Sequence, residues 1–323
     1  MKPKGKLQSE YVRMLEALEK MAELYKQKPK STGYGNEGLL RFVRALRQLR
    51  KNGPAKCIKK WKTERSGIDL PLYSAEEKAA FPYRDYTEDE GRYFSEERIA
   101  VYMAMFGGYD RIREPLIHPD NVDYYLISDR PADEGSVWNR LDPAKLIPEE
   151  YLSDPVLSNR WCKLHPHELF PDHRLSVYVD SNFLIVSDLT ALTAGIRDFP
   201  AAMFLHKNRN CVYDEIRACR IKKKVPEALL KKHEQLLRRH GVPEDYGLLE
   251  APVIARRHME PACIGFMEHW WKAYLEGCGR DQISLIDCMW KDGIRVEEVG
   301  TLGYDFRDCH LLIAMPHGSK EKK

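Results

Sequence analysis

Long apolar runs are missing from this chain. Nothing approaches the about 18 consecutive apolar residues of a membrane-spanning helix, so none is expected. Paired cysteines are missing too. The 8 cysteines (Cys57, Cys162, Cys211, Cys219, Cys263, Cys278, Cys288 and Cys309) are scattered without a CxxC step. That excludes zinc-ribbon spacing, and a disulfide framework is not expected in a chain of this size. Neither sign of charge dominates. The 52 Lys and Arg against 49 Asp and Glu leave a net +3, too small to imply a nucleic-acid partner. Behind Met1, the run Lys-Pro-Lys-Gly-Lys has no apolar h-region, so no secretory signal is expected and the cytoplasm is the expected compartment. What remains is a 323-residue chain of ordinary apolar content, 43%, long enough for a substantial core in one large or two smaller domains.

Residues 1–96 differ from the rest. Tyr11, Met14, Leu15, Leu18, Met21, Ala22 and Tyr25 recur at helical spacing, and Ser31–Asn36 breaks the pattern. A second helix places Leu39, Phe42, Val43, Leu46 and Leu49 on one face and Arg41, Arg44, Arg47 and Lys51 on the other. That basic face suits either plain solvation or peripheral contact with anionic membrane or polymer at the inner face of the membrane. Residues 66–97, rich in Pro, Tyr and acidic groups, read as a linker or a wrapping segment. From Arg98 onward strands and helices alternate. Ile99–Phe106, Val122–Asp129, Leu175–Val179, Met203–His206 and Pro252–Arg257 read as strands. Cys211–Arg220, Val225–Arg239, Pro261–Tyr274 and Asp281–Trp290 read as helices, the last two stopped by Gly277 and Gly293. The expected class is α/β over 97–318, a mixed, mostly parallel sheet flanked by helices, with a Lys-rich tail at 319–323. Ligands of such sheets sit beyond the carboxyl ends of the strands.

Several candidate groups fall there. Asp180-Ser-Asn182 follows a buried strand, and strand alternation would send the two oxygen-bearing side chains to one side. They would suit Mg²⁺ or Mn²⁺, or else form an Asx turn. Gly107-Gly108-Tyr109-Asp110 follows the first strand without a GxGxxG or Walker pattern, so it offers close backbone approach or a plain turn. Asp129 ends the second strand and could bond a ribose or start a turn. Arg160 and Lys163 could neutralise a diphosphate. His165-Pro-His167 resembles a ligand couple, but no Cys or acidic motif completes it, and a structural role is expected. Asp281 opens a helix as its N-cap or as a carboxylate facing a reaction centre, and His206 and His258 stand at strand ends.

Together these blocks resemble one family. They are Ile99–Asp110, Pro119–Tyr125, Lys163–Pro171, Tyr178–Asn182, His206–Glu215, Phe266–Trp271 and Arg280–Gln282. The chain over residues 97–300 resembles the glycosyltransferase-like group of plants and bacteria first catalogued as domain of unknown function 616. The resemblance implies a GT-A-type fold whose DxD-like motif, here Asp180-Ser-Asn182, binds Mn²⁺ or Mg²⁺ and a nucleotide-sugar diphosphate. Asn182 stands where the second carboxylate would be, which lowers the charge of the site. Asp281-Gln282 looks like the acidic position near donor sugar and acceptor, and His310 or His317 is available as a late metal ligand. The implied activity is metal-dependent transfer of a sugar to a glycan or other hydroxyl acceptor, such as a surface polysaccharide. Phe106, Gly107, Gly108, Tyr109 and Asp129 would hold base and ribose, with Arg160, Lys163 and Gln282 also at the donor. Asp281 would serve as base or stabiliser, supported by His206 and His258. Two alternatives stand beside it: an inactive glycan- or nucleotide-binding protein, and a metal-dependent phosphohydrolase.

Overall fold

The computed structural model describes residues 97–108 and 110–315. The segment in which two helices with a basic face are expected, Tyr109, His317 and the Lys-rich tail lie outside the described residues. Eight strands appear: β1 (Ile99–Met105), β2 (Val122–Ser128), β3 (Asn139–Leu141), β4 (Leu175–Val179), β5 (Phe183–Ile185), β6 (Ala201–Leu205), β7 (Leu249–Arg256) and β8 (Leu312–Ala314). Six form the main sheet in the order β3-β2-β1-β4-β7-β6. β7 runs antiparallel to both its neighbours, and the other five share one direction. β5 and β8 pair antiparallel in a second, small sheet.

Alternation along β1 explains the two cores. Ile99, Val101, Met103 and Met105 face one side of the sheet, and Ala100, Tyr102 and Ala104 the other; all are buried. On the Tyr102 side pack the helices of ten or more residues: α1 (Pro155–Leu164), α2 (Val212–Lys222), α3 (Glu227–Arg239), α4 (Pro261–Glu276) and α5 (Asp281–Asp292). The Val101 side is covered by the 3-10 segment Leu189–Gly195 and the β5/β8 ribbon. Punctuation in the sequence sets the helix ends. Pro155 and Pro261 open α1 and α4, and Gly293 closes α5 in the left-handed region at φ +69°. No helix among the described residues is long and apolar enough to cross a membrane.

The mostly parallel sheet flanked by helices agrees with the expected class and is consistent with a GT-A-like fold. Three local expectations change. The late strand starts at Leu249, ahead of Pro252. An irregularity between Ala202 and Phe204 on β6 falls opposite this proline, which has no N–H to give the ladder. The strand before Asp180 ends at Val179, and the Phe183 amide donates to Asp180 O at 3.1 Å. Asp180–Asn182 therefore form a turn, and strand alternation does not orient them. Residues 155–164, assigned to no element from sequence, form α1.

Candidate active site

The carboxyl ends of β4 and β6 and the amino end of β7 meet at one edge of the sheet, where a cleft of about 600 Å³ opens. Eight basic and five acidic side chains line it, an arrangement that favours an anionic ligand.

One wall is built by α1. Arg160 and Lys163, three residues apart, share a helix face. Lys163, almost fully buried, places Nζ 2.8 Å from Asp281 Oδ2 and 3.9 Å from Asp180 Oδ1. Arg160 Nε lies 3.3 Å from the same Asp281 oxygen. Asp281 is the first residue of α5, and the N-cap position falls on Arg280. Burial alone would raise the proton affinity of Asp281, but Arg160, Lys163 and Arg280 outweigh it and hold the carboxyl well below the usual carboxylate range. The Tyr178 hydroxyl donates to Asp180 Oδ1 at 2.8 Å.

The other wall follows β6. Arg209 pairs with Glu215 of α2 at 2.8 Å, and Arg280 reaches the same carboxylate at 3.8 Å. The Asn208 amide donates to His206 Nδ1, and an Arg209 guanidinium nitrogen stands 2.7 Å from Nε2. Burial, then Arg209, pushes the His206 imidazole down to about 2, so it is neutral at physiological pH. Asp305 gathers Lys207 at 3.0 Å and Arg307 at 2.8 Å, and Arg307 also reaches Glu250 at 3.4 Å. Burial lifts Glu250 to about 7 against the pull of Arg307. The buried Nε of Arg280 makes no hydrogen bond, that of Arg160 has only its ion pair with Asp281, and desolvation together with nearby Arg280 lowers Lys224. Cations are thus packed closely around space that an anion would fill.

The structure brings together Arg160, Lys163, Asp180, His206, Asp281 and Gln282 of the expected site residues, although the Gln282 amide is spent on Leu249 O. His258 is fully enclosed, bonds to Phe170 O and does not line the cleft. Phe106, Gly107, Gly108 and Asp129 form a separate loop cluster outside the cleft's walls, where the Gly107 amide donates to Asp129 at 2.8 Å. Gly107 and Gly108 have φ +66° and +63°, and the Arg130 guanidinium occupies the place a Gly108 side chain would take. Ser181 donates to Asp110 at 2.7 Å, which ties that loop to the Asp180 turn. His310 is exposed. Glu250, Asp305 and Arg307 were not singled out from sequence. Glu250 lies at the amino end of the reversed β7, and no local signal announces that reversal.

Mn²⁺ or Mg²⁺ at Asp180 and Asn182 would need several oxygen ligands. Asp180 Oδ1 takes the Tyr178 hydroxyl and faces the Lys163 ammonium, and Asn182 adds only a neutral amide. Among the described residues, Asp180 belongs to no trio of His, Cys, Asp or Glu side chains within ligand reach. This donor set does not fit a resident divalent cation.

A family model described as TOD1/MUCI70, glycosyltransferase-like domain, matches residues 145–310, half of the chain. The chain belongs to this family. The TOD1/MUCI70 match spans α1 to α5 and every side chain that lines the cleft, and it starts after β1 and β2. The expected glycosyltransferase-like membership is met at that level. No curated protein matches the chain.

Proposed function

We propose that this TOD1/MUCI70 domain binds a nucleoside-diphosphate sugar in the cleft and transfers its glycosyl group to a hydroxyl of a glycan acceptor. The observation that carries this reading is the gathering of eight basic side chains at the strand ends, with Lys163 and Arg209 buried and Arg280 Nε lacking a hydrogen-bond partner. In the transfer, the bond between the anomeric carbon and the diphosphate oxygen breaks, and the acceptor oxygen bonds to that carbon. The acceptor proton passes to a carboxylate. Arg160, Lys163 and Arg280 neutralise the departing diphosphate from fixed positions, where charge stabilisation is most effective. This is the work that the family resemblance assigns to a metal ion. Asp281 keeps those cations in place, and its depressed proton affinity makes it an electrostatic partner and a poor base. Glu250, at about 7, is matched to accept the proton near neutral pH.

Thermal stabilisation against a panel of nucleoside diphosphates and nucleotide sugars tests the site. One nucleotide family should stabilise the protein without added Mg²⁺ or Mn²⁺, and Arg280→Ala should abolish the shift. Release of nucleoside diphosphate in the presence of acceptor then tests transfer. No stabilisation across the panel rejects the donor site. Stabilisation without release favours a binding protein, the second reading, to which the low basicity of Asp281 gives support. We further propose that the basic N-terminal segment, outside the described residues, contacts anionic membrane or polymer. Unchanged association after deletion of residues 1–65 rejects that part.

A further inference from the structure

Three side chains outside the cleft, His165, Glu168 and Glu268, come within ligand reach of one another, and His167 stands beside them. His165 follows α1, His167 and Glu168 sit on the short helix Pro166–Leu169, and Glu268 projects from α4. His167 Nε2 is 3.2 Å and His165 Nε2 is 3.5 Å from the same oxygen, Glu268 Oε1. Glu168 Oε1 lies 4.0 Å from His167 Nε2. Ligand atoms of His165, Glu168 and Glu268 all fall within 4.8 Å of one another.

Hydrogen bonding does not account for this arrangement. His165 Nδ1–H donates to Trp161 O at 2.8 Å, so Nε2 carries a lone pair and aims it at a carboxylate oxygen. A backbone bond that fixes the outer nitrogen and frees the inner one is the usual support of a metal-bound histidine. The ring is also held in place: it stacks on Trp161 at 4.6 Å and meets the edge of Trp271 at 5.5 Å. His167 can donate to Glu268 and satisfy one pair, but its Nδ1 is buried without a partner, and the His165–Glu268 approach still has no hydrogen. Zinc bonds of about 2.0–2.1 Å set tetrahedral ligand atoms roughly 3.3 Å apart. The 3.5 Å separation of His165 Nε2 from Glu268 Oε1 matches that spacing, and Glu168, with its side chain 53% exposed, is the arm that closes on the ion.

We propose that His165, Glu168 and Glu268, with a water as fourth ligand, bind one zinc ion that pins the end of α1 to α4, His167 supporting Glu268 from outside the shell. The site is independent of the transferase reading, since it shares no ligand with the cleft. A neutral imidazole beside two carboxylates suits zinc better than the all-oxygen shells of Mg²⁺ or Ca²⁺.

The test uses the full chain after chelator treatment, titrated with Zn²⁺ alone by calorimetry and with Co²⁺ by visible absorption. One ion per chain is expected, with a four-coordinate cobalt spectrum and a raised Tm under Zn²⁺. Glu268→Gln keeps the shape and an acceptor for His167, and should weaken Zn²⁺ binding by about 100-fold. Glu168→Gln, on an exposed side chain that the fold does not need, should weaken it by about 10-fold. That second variant decides the matter if the first fails to fold. No binding at millimolar Zn²⁺, or affinity unchanged in Glu168→Gln, overturns the proposal.

Discussion

Asp281 sits where three cations converge, and its carboxylate links the amino end of α5 to α1. Its folded-state proton affinity lies below the unfolded value of about 3.9, so ionised Asp281 stabilises the fold fully above that pH. The contribution is lost as pH falls toward the folded value. Asp281→Asn leaves buried Lys163 with only Asp180 at 3.9 Å and half-buried Arg160 without its carboxylate, which should cost about 3 kcal/mol at neutral pH. Urea unfolding of both proteins across pH should show that gap narrowing only below about pH 4. Glu250 behaves oppositely because burial raises it to about 7. As the proposed base it would work deprotonated, so transfer should rise with pH and level off above that value. Glu250→Gln should lose the rising limb and about 10²–10⁴-fold in kcat while nucleotide affinity stays near wild type. A flat pH profile in the wild type would remove Glu250 from that role.

α1 places Arg160 and Lys163, and both of its ends are held by identifiable bonds. At its start the Asp154 carboxylate accepts from the Val156 amide at 2.7 Å, so Asp154→Ala should cost about 1 kcal/mol. At its end the buried Arg256 of β7 donates to Lys163 O at 2.8 Å and to the Tyr102 hydroxyl at 2.5 Å. Bonds to a charged group contribute about 1.5–3 kcal/mol each, so Arg256→Ala should cost about 3–5 kcal/mol in denaturant unfolding and weaken nucleotide binding too. These elements differ in how legible they were. β1, β4 and α4 could be read closely, because apolar runs and Pro or Gly stops mark them locally. α1 could not, since Arg160, Lys163 and His-Pro-His dilute its apolar face into what looks like a loop. The reversal of β7 was equally hidden. Strand direction is decided by pairing with β4 and β6, far away in sequence, and it alone carries Glu250 to the cleft. For the same reason the approach of Glu268 to His165 and His167 could not be seen, because Glu268 lies 101 positions from His167.

Over the whole chain the charges nearly cancel, at +3, yet eight basic side chains meet five acidic ones in one cleft. Function therefore follows from where the fold gathers charge and not from composition. A diphosphate entering this cleft exchanges water for several fixed cations, and the mutual repulsion among Lys224, Arg280 and Arg160 is relieved as it binds. Two consequences separate this arrangement from a metal-held donor. Affinity for the nucleoside diphosphate should fall steadily between low and physiological salt, because the Debye length shrinks from about 30 Å at 0.01 M to about 8 Å at 0.15 M. It should also stay within about 2-fold when Mg²⁺ or Mn²⁺ is added, since Asp180, facing a buried ammonium, gives a divalent ion no favourable seat. Calorimetric titration at two salt concentrations, with and without Mg²⁺, measures both. Tight binding that appears only with the divalent ion would return the diphosphate to a metal at Asp180 and reduce Arg160, Lys163 and Arg280 to supports of the fold.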